Sequence, residues 1–407
     1  MRAVIIGCGI GGAALALALQ RMGMDCVVLE QAPKLEEVGA GLQLSPNGVR
    51  VIRNLGLLPA LQKVAFEPHD LLYRDWQSGE VLLRNPLMPE INRQFGAAYY
   101  HAHRADLLGV LTSAIEPSRI RLGAKVLSVE QKGTRAVARL ADGTIEEGDV
   151  LIGADGIHSM VRTSLFQADT PQSSGCIAWR GMVDAATAAH LGITPSAHVW
   201  MGPGYSAVIY YVSGGRKINW ICMGSSPSAR AESWSATAST EEILGVYRGW
   251  NKEVTELVRI SPTPFVTALY DRAPLKRWVN GRIALMGDAA HAMLPYHAQG
   301  AVQSMEDAWV LARLLDLDGG RDVEATLRRY EELRMERANR VQAGSRAAEQ
   351  RLHLRDPEEV EQRNARFRKY DKEFKGGFMP QQEWLFGYDA ELAARGTDEA
   401  WRALRAW

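Results

Sequence analysis

The first thirty residues leave the chain little freedom in how it can fold, because they read strand, glycine turn, helix, strand. Ala3 to Ile6 is a short apolar run that breaks into Gly7-Cys8-Gly9-Ile10-Gly11-Gly12, so Gly7, Gly9 and Gly12 fill the glycine positions of G-x-G-x-x-G. Leu15, Leu17, Ala18 and Leu19 carry the helix, Gly23 ends it, and Asp25 to Leu29 is a second apolar run closing on Glu30. One glycine permits the tight turn, one lets a pyrophosphate approach bare backbone, and one lets the helix pack closely on the sheet. The helix start offers N–H groups and a positive dipole end to the phosphates. Glu30 sits 18 residues beyond Gly12, near the offset of an acid that takes a ribose hydroxyl. Together these features predict dinucleotide binding rather than a structural glycine turn.

A chain of 407 residues exceeds the size at which one core stops growing, so two or more subdomains are expected. Lys plus Arg and Asp plus Glu are both 47, and this balance argues against a nucleic-acid or membrane-surface protein. Cys8, Cys26, Cys176 and Cys222 show no C-x-x-C spacing. They are expected to be reduced, buried and free of metal, as in a cytoplasmic protein. No basic and apolar leader precedes Val4, and no segment approaches the ~18 apolar residues of a membrane span. A soluble, cytoplasmic chain is the expectation.

Past Glu30, Gly39 to Gly48 forms a long glycine-rich connection containing Gln43, and a loop in that place is more often functional than idle. Residues 71–83 read as a hairpin about Gln77-Ser78-Gly79 that belongs with a later sheet. Arg104 opens an amphipathic run to Ile115. Strands are expected over Lys125 to Gln131 and Arg135 to Leu140, and Val150 to Ala154 leads into Asp155-Gly156 with Ser159 and Arg162 beyond. Residues 176–223 alternate aromatic, apolar and polar residues and predict an antiparallel sheet, either core on one face or the lining of an apolar cavity. Two helical segments near residues 241–260 cover it. A further strand, Arg282 to Met286, ends in Gly287-Asp288, and the loop Leu294 to Ala301 opens a helix. Asp322 to Leu352 reads as a charged helix forming a solvated cover.

Three separated stretches therefore agree: the glycine turn with Glu30, the Asp155-Gly156 segment with Ser159 and Arg162, and the Gly287-Asp288 segment with Pro295 and Gly300. In this order and spacing the chain resembles the single-component, FAD-dependent aromatic hydroxylases. It looks most similar to the salicylate, 3-hydroxybenzoate and 6-hydroxynicotinate monooxygenases, through Tyr73 to Gly79, the Gly39 to Asn47 loop and Trp384 to Tyr388. The resemblance implies an α/β fold in which a Rossmann-like FAD-binding domain (1–70, 98–170 and 276–320) carries an inserted antiparallel-sheet substrate domain (71–97 and 171–275) and a C-terminal helical segment (321–407).

The resemblance also implies roles. Gly7, Gly9, Gly12 and Glu30 would hold the adenosine half of FAD, with Arg104 near the pyrophosphate and the Val126 backbone near the adenine. Asp288 would take a ribityl hydroxyl, Asp155 would serve both FAD and the nicotinamide cofactor, and Gln43 would approach the flavin. Pro295 would shape the loop where oxygen reacts, and Gly300 and Ala301 would offer a helix start to the charge on reduced flavin. With no second glycine motif, NADH or NADPH would have no domain of its own. The expected activity is hydroxylation, with or without decarboxylation, of a monocyclic hydroxylated aromatic or heteroaromatic carboxylate by O2, through a flavin C4a-hydroperoxide kept from water.

Because the attack is electrophilic, a base that removes a phenolic proton speeds it, and Tyr210, Tyr296 and His297 are the candidates. Related enzymes often carry a histidine four positions before the tyrosine matched by Tyr210. Here that position is Ser206, so another donor such as His297 or Tyr205 is needed. Arg180 is a candidate for a substrate carboxylate, although a structural role is the simpler reading. The rival expectations are a purine or nonaromatic substrate, or an FAD-binding protein without turnover.

Overall fold

The computed structural model describes residues 1–35, 40–166, 169–225, 236–374, 378 and 380–397; Gly39 and residues 398–407 of the expected tail lie outside them. The glycine-turn unit folds as the sequence requires: strand Arg2–Ile6, helix Ile10–Arg21, strand Asp25–Leu29. Arg2–Ile6 is flanked in parallel by Asp25–Leu29 and by Val150–Gly153. Val150–Gly153 in turn pairs in parallel with Ile283–Leu285, so four of the expected apolar strands lie side by side in a six-stranded sheet. Nearly every side chain of these strands is buried, as parallel strands covered on both faces must be. A three-stranded antiparallel sheet, Val126–Lys132, Arg135–Leu140 and Ile145–Gly148, stands beside it.

The second large sheet has seven strands, in the order Phe265–Asp271, Gln172–Asp184, Lys217–Ser225, Tyr205–Val212, Ala197–Met201, Asp70–Asp75, Val81–Pro86. The early hairpin thus joins the later sheet, pairing in parallel with Ala197–Met201. Alternation along the strands sorts its residues onto two faces. Trp179, Trp200 and Trp220 pack on one face beneath helices Thr240–Val246 and Lys252–Arg259. The tryptophans are therefore core and do not line a cavity. Cys176, Tyr210 and Met223 belong to the other face, with Leu294, Tyr296 and residues of the C-terminal helices.

The 30-residue helix Val323–Leu352 corrects the expectation of a solvated cover. Arg334 and Arg337 are buried on it, facing Glu306 and Asp307 of the helix Gly300–Asp318, which are buried as well. Arg334 reaches Glu306 at 2.6 Å and Asp307 at 2.8 Å, and Arg337 reaches Glu306 at 2.8 Å. Burial alone would raise the Glu306 carboxyl, but the Arg337 and Arg334 charges outweigh it and hold it below its usual range. In Asp307 the same burial is outweighed chiefly by His291 and Arg334.

Removing one partner strands a buried charge, so Arg334→Ala is expected to cost about 3–5 kcal/mol, read from the urea midpoint. Because both carboxyls are depressed, the contribution is present above the unfolded carboxyl pKa of about 4 and lost as pH falls through the folded values. The gap between wild type and variant therefore narrows on acidification. A midpoint unmoved by the substitution at pH 7 would contradict this assignment.

Candidate active site

The three glycines of the turn divide their tasks in the structure. Gly7 has φ +99°, a left-handed conformation that disfavours a side chain, and a Cβ there would strike the Ala154 carbonyl on the neighbouring strand. A Cβ on Gly12 would overlap the Gly7 carbonyl oxygen, so this glycine sets the close approach of helix to strand. Gly9 is different: its φ of −70° is open to any residue, and a Cβ would meet no protein atom within 4 Å. Its lack of a side chain clears space outside the protein, as a cradle for a pyrophosphate requires. Glu30 lies beside it, Oε2 accepting from the Cys8 N–H at 2.8 Å and Oε1 from the Ala32 N–H at 2.8 Å. All four cysteines are free and buried.

A second helix start meets the first. Gly11 packs on Ser304, and so does Gly287, which places the starts of helices Ile10–Arg21 and Gly300–Asp318 and the Gly287-Asp288 turn around one side chain. Gly300, like Gly9, has nothing facing its missing side chain, and Ala301 follows in the first turn. Two positive dipole ends thus border the same groove, and no acid occupies the first turn of either helix. Asp288 holds an exposed carboxylate at the start of Asp288–His291. Pro295 begins the short turn Pro295–His297, and Ala298 after it takes φ +52°. These residues fit an extended anionic dinucleotide.

Other predicted residues are placed as follows. Asp155 spends its carboxylate on capping: Oδ1 accepts from Ser159 Oγ at 2.6 Å and Oδ2 from the Met160 N–H at 2.8 Å. Its side chain shapes the turn beside the glycine motif. Arg104 begins helix Arg104–Thr112, its N–H donating to the Ala40 carbonyl. The Val126 backbone pairs with Leu140 next to a bulge. Gln43 lies on strand Gly41–Leu44, where its Oε1 accepts from the Tyr99 hydroxyl at 2.6 Å. That strand touches the substrate-side sheet directly. Gly41 N–H donates to Asn219 Oδ1 at 2.9 Å, and a Cβ on Gly41 would meet the Tyr210 hydroxyl at 2.7 Å.

Tyr210 is buried, with the His101 ring 4.7 Å away, and burial raises its phenol above the usual range while Arg180 opposes this. Arg180 is buried on the same face of the sheet, where it feels Tyr210 and, more weakly, the Arg104 charge and Tyr296. Burial lowers its pKa. Tyr296 donates to Glu349 Oε1 at 3.5 Å. His297 packs over Gly344 of the long helix, and burial together with Arg351 lowers it to about 4. Tyr205 packs on the tryptophan side of the sheet and donates to the Ser225 carbonyl, so it does not stand in for the residue at 206. Sequence reasoning missed His101, Asn219, Glu349 and His353, which enter through tertiary contacts that no local pattern signals.

Helix ends, glycine cradle and an inserted antiparallel sheet define a dinucleotide-binding α/β protein with a second sheet against its cofactor side. Residues 1–345 match the FAD binding domain family, and the chain belongs to it. A 3-amino-4-hydroxybenzoate 2-monooxygenase of Streptomyces platensis is 38% identical, the match covering 96% of each chain. A 6-hydroxynicotinate 3-monooxygenase of Bordetella bronchiseptica is 34% identical over 84% of this chain and 89% of its own. Among solved structures, Klebsiella pneumoniae HpxO complexed with FAD and uric acid superposes with a TM-score of 0.82 at 27% identity, covering 99% of this chain and 97% of that one. The chain is an FAD-dependent monooxygenase. Among the described residues no helix is long and apolar enough to cross a membrane.

The contrast between the glycines can be tested. Gly9→Val is expected to leave the thermal midpoint of the FAD-free protein in place while weakening FAD binding at least about tenfold, since one lost phosphate contact is worth about 1.5–3 kcal/mol. Gly12→Val should instead lower the midpoint of the FAD-free protein. Equal loss of stability in both variants would show that Gly9 does not face the cofactor.

Proposed function

We propose that the chain hydroxylates a single aromatic or heteroaromatic ring bearing a hydroxyl and a carboxylate, using NADH or NADPH and O2. The observation that carries this reading is the buried Arg180 guanidinium on the Tyr210 face of the sheet, within electrostatic reach of Tyr296 on the Pro295 loop. A buried cation close to Tyr210, with the Arg104 charge also felt there, suits a small aromatic anion, because the guanidinium fork matches a carboxylate in charge and shape. The two relatives above are named for ring carboxylates that also carry a hydroxyl, which supports the same class.

In this reading segments 1–70, 98–170 and 276–320 hold FAD, segments 71–97 and 171–275 bind the substrate, and 321–407 cover both. Gly7, Gly9, Gly12 and Glu30 bind the adenosine and pyrophosphate half, with Arg104 and the Val126 backbone alongside. Asp288, Gln43, Gly300 and Ala301 attend the other half. Bound FAD supplies reduction by the nicotinamide and activation of O2. The protein's own contribution is to fix the ring. Arg180 takes the carboxylate, Tyr210 and Asn219 border the ring where strand Gly41–Leu44 meets the sheet, and Leu294, Ile221 and Met223 keep water away.

The test is NADH and NADPH oxidation by the FAD-loaded protein with hydroxybenzoates, hydroxypyridine carboxylates and urate, with peroxide counted alongside. One hydroxy-carboxylate is expected to stimulate oxidation with little peroxide. Arg180→Ala should raise the KM for that compound about tenfold or more, the cost of a lost charge-assisted hydrogen bond. Stimulation by urate alone would support a purine substrate instead, and tight FAD binding with no oxidation would leave a protein without turnover.

A further inference from the structure

One of the four cysteines meets two further metal-ligand side chains in space. Cys176 lies in the first half of strand Gln172–Asp184, while Glu349 and His353 stand one turn apart at the end of helix Val323–Leu352. The Cys176 sulfur, a Glu349 carboxylate oxygen and a His353 ring nitrogen all lie within 4.8 Å of one another. Among the described residues no other three His, Cys, Asp or Glu side chains are gathered so closely. No spacing along the chain signals this group, because the strand supplies one ligand and the helix two, and so the cysteines read as free of metal.

The separations are those of ligands around one ion. Zinc held tetrahedrally at about 2.3 Å from sulfur and about 2.0–2.1 Å from an imidazole nitrogen sets those two atoms about 3.6 Å apart. Cys176 Sγ and His353 Nδ1 are 3.8 Å apart. Positions four apart on a helix present two ligands to one side, and a thiolate with a carboxylate matches the charge of a divalent cation. The other imidazole nitrogen is provided for as well. Nε2 lies 2.9 Å from the buried Ser206 hydroxyl, whose oxygen accepts the Nε2 proton and leaves Nδ1 as the ligating atom. Glu349 and His353 are only half-buried, so the cluster is open to solvent on its helix side.

We propose that Cys176, Glu349 and His353 form a site for zinc, the cation replacing the thiol proton, which leaves to solvent, and that occupation of this site slows turnover. Structural zinc is closed off by four protein ligands, whereas three leave a position open and suit an ion that exchanges. The link to turnover is Tyr296. Its hydroxyl donates to Glu349 Oε1 at 3.5 Å, and its ring stands edge-on to His353 at 5.3 Å. Zinc takes the carboxylate away from that hydroxyl and so disturbs the turn Pro295–His297. This link, unlike the site, rests on the preceding reading that the Pro295 loop borders the flavin and the substrate. The Arg363 and Arg355 charges reach His353 and act against a cation, so the site depends on both of its anionic ligands.

The test is a titration of the FAD-loaded protein with Co2+, whose tetrahedral thiolate complexes absorb at longer wavelengths than the flavin. A single equivalent should bind, and Zn2+ should displace it while Mg2+, which prefers oxygen ligands, should not. Cys176→Ser and Glu349→Gln should each weaken binding beyond the roughly 10–100-fold that loss of a supporting group costs, and Ser206→Ala should weaken it within that range. Zn2+ should slow NADH or NADPH oxidation by the wild type and leave that of Cys176→Ser unchanged. Co2+ bound equally by the wild type and Cys176→Ser, or bound without thiolate bands, would overturn the site, with thermal midpoints of the metal-free proteins separating a lost ligand from a lost fold. Binding that leaves oxidation at full rate would overturn the link through Tyr296 and leave the substrate reading untouched.

Discussion

The ionic knot at the centre of the molecule is what the active-site loops hang from. Asp307 accepts the Gly287 N–H at 2.9 Å and bonds His291 at 2.6 Å, which fixes the turn that presents Asp288. Glu306 accepts from Asn47 at 2.7 Å, and Asn47 also bonds Gln299, so the glycine-rich connection and the start of the helix at Gly300 are tied to the same acid. Arg334 and Arg337 close the knot from the long helix, and Arg337 reaches on to the Leu385 carbonyl in the tail. Four stretches far apart in sequence are thus held to one pair of carboxylates.

Such a knot is a costly way to gain stability, because desolvating the charges offsets most of their attraction. Its value here is positional. An apolar core of similar volume could hold the helices together but would not fix the direction of the Gly287 N–H, the Asn47 amide or the start of Gly300–Asp318. Those directions aim N–H groups and a dipole at the groove beside Gly9. The same long helix extends to His353, so the element that closes the knot at one end delivers an imidazole to Ser206 at the other.

Much of the cofactor side was legible because it is local. Gly7, Gly9 and Gly12 act within a dozen residues, Glu30 follows at a fixed offset, and Gly287-Asp288 ends an apolar strand; each signal is written along the chain. The substrate side was less legible because it is assembled by pairing. The aromatic run 176–223 announced a sheet, but which face held Trp179, Trp200 and Trp220 depended on the helices that cover it. The charges of Val323–Leu352 looked like a solvated surface, since a helical pattern of Arg and Glu does not say whether a partner helix carries the opposite charges at matching positions. His353 gave no signal at all, because it meets Ser206 only across 147 residues. Asp155 was read by its place at a strand end, where capping the next helix claims its carboxylate.

The most direct measurement is a crystal structure of the FAD-loaded protein with bound 3-amino-4-hydroxybenzoate. The flavin ring should lie beside Pro295 to Ala301, with the carboxylate of the ligand on Arg180 and its ring against Tyr210 and Asn219. A ligand seated on the tryptophan face of the sheet, or with its carboxylate turned away from Arg180, would contradict this arrangement of the pocket.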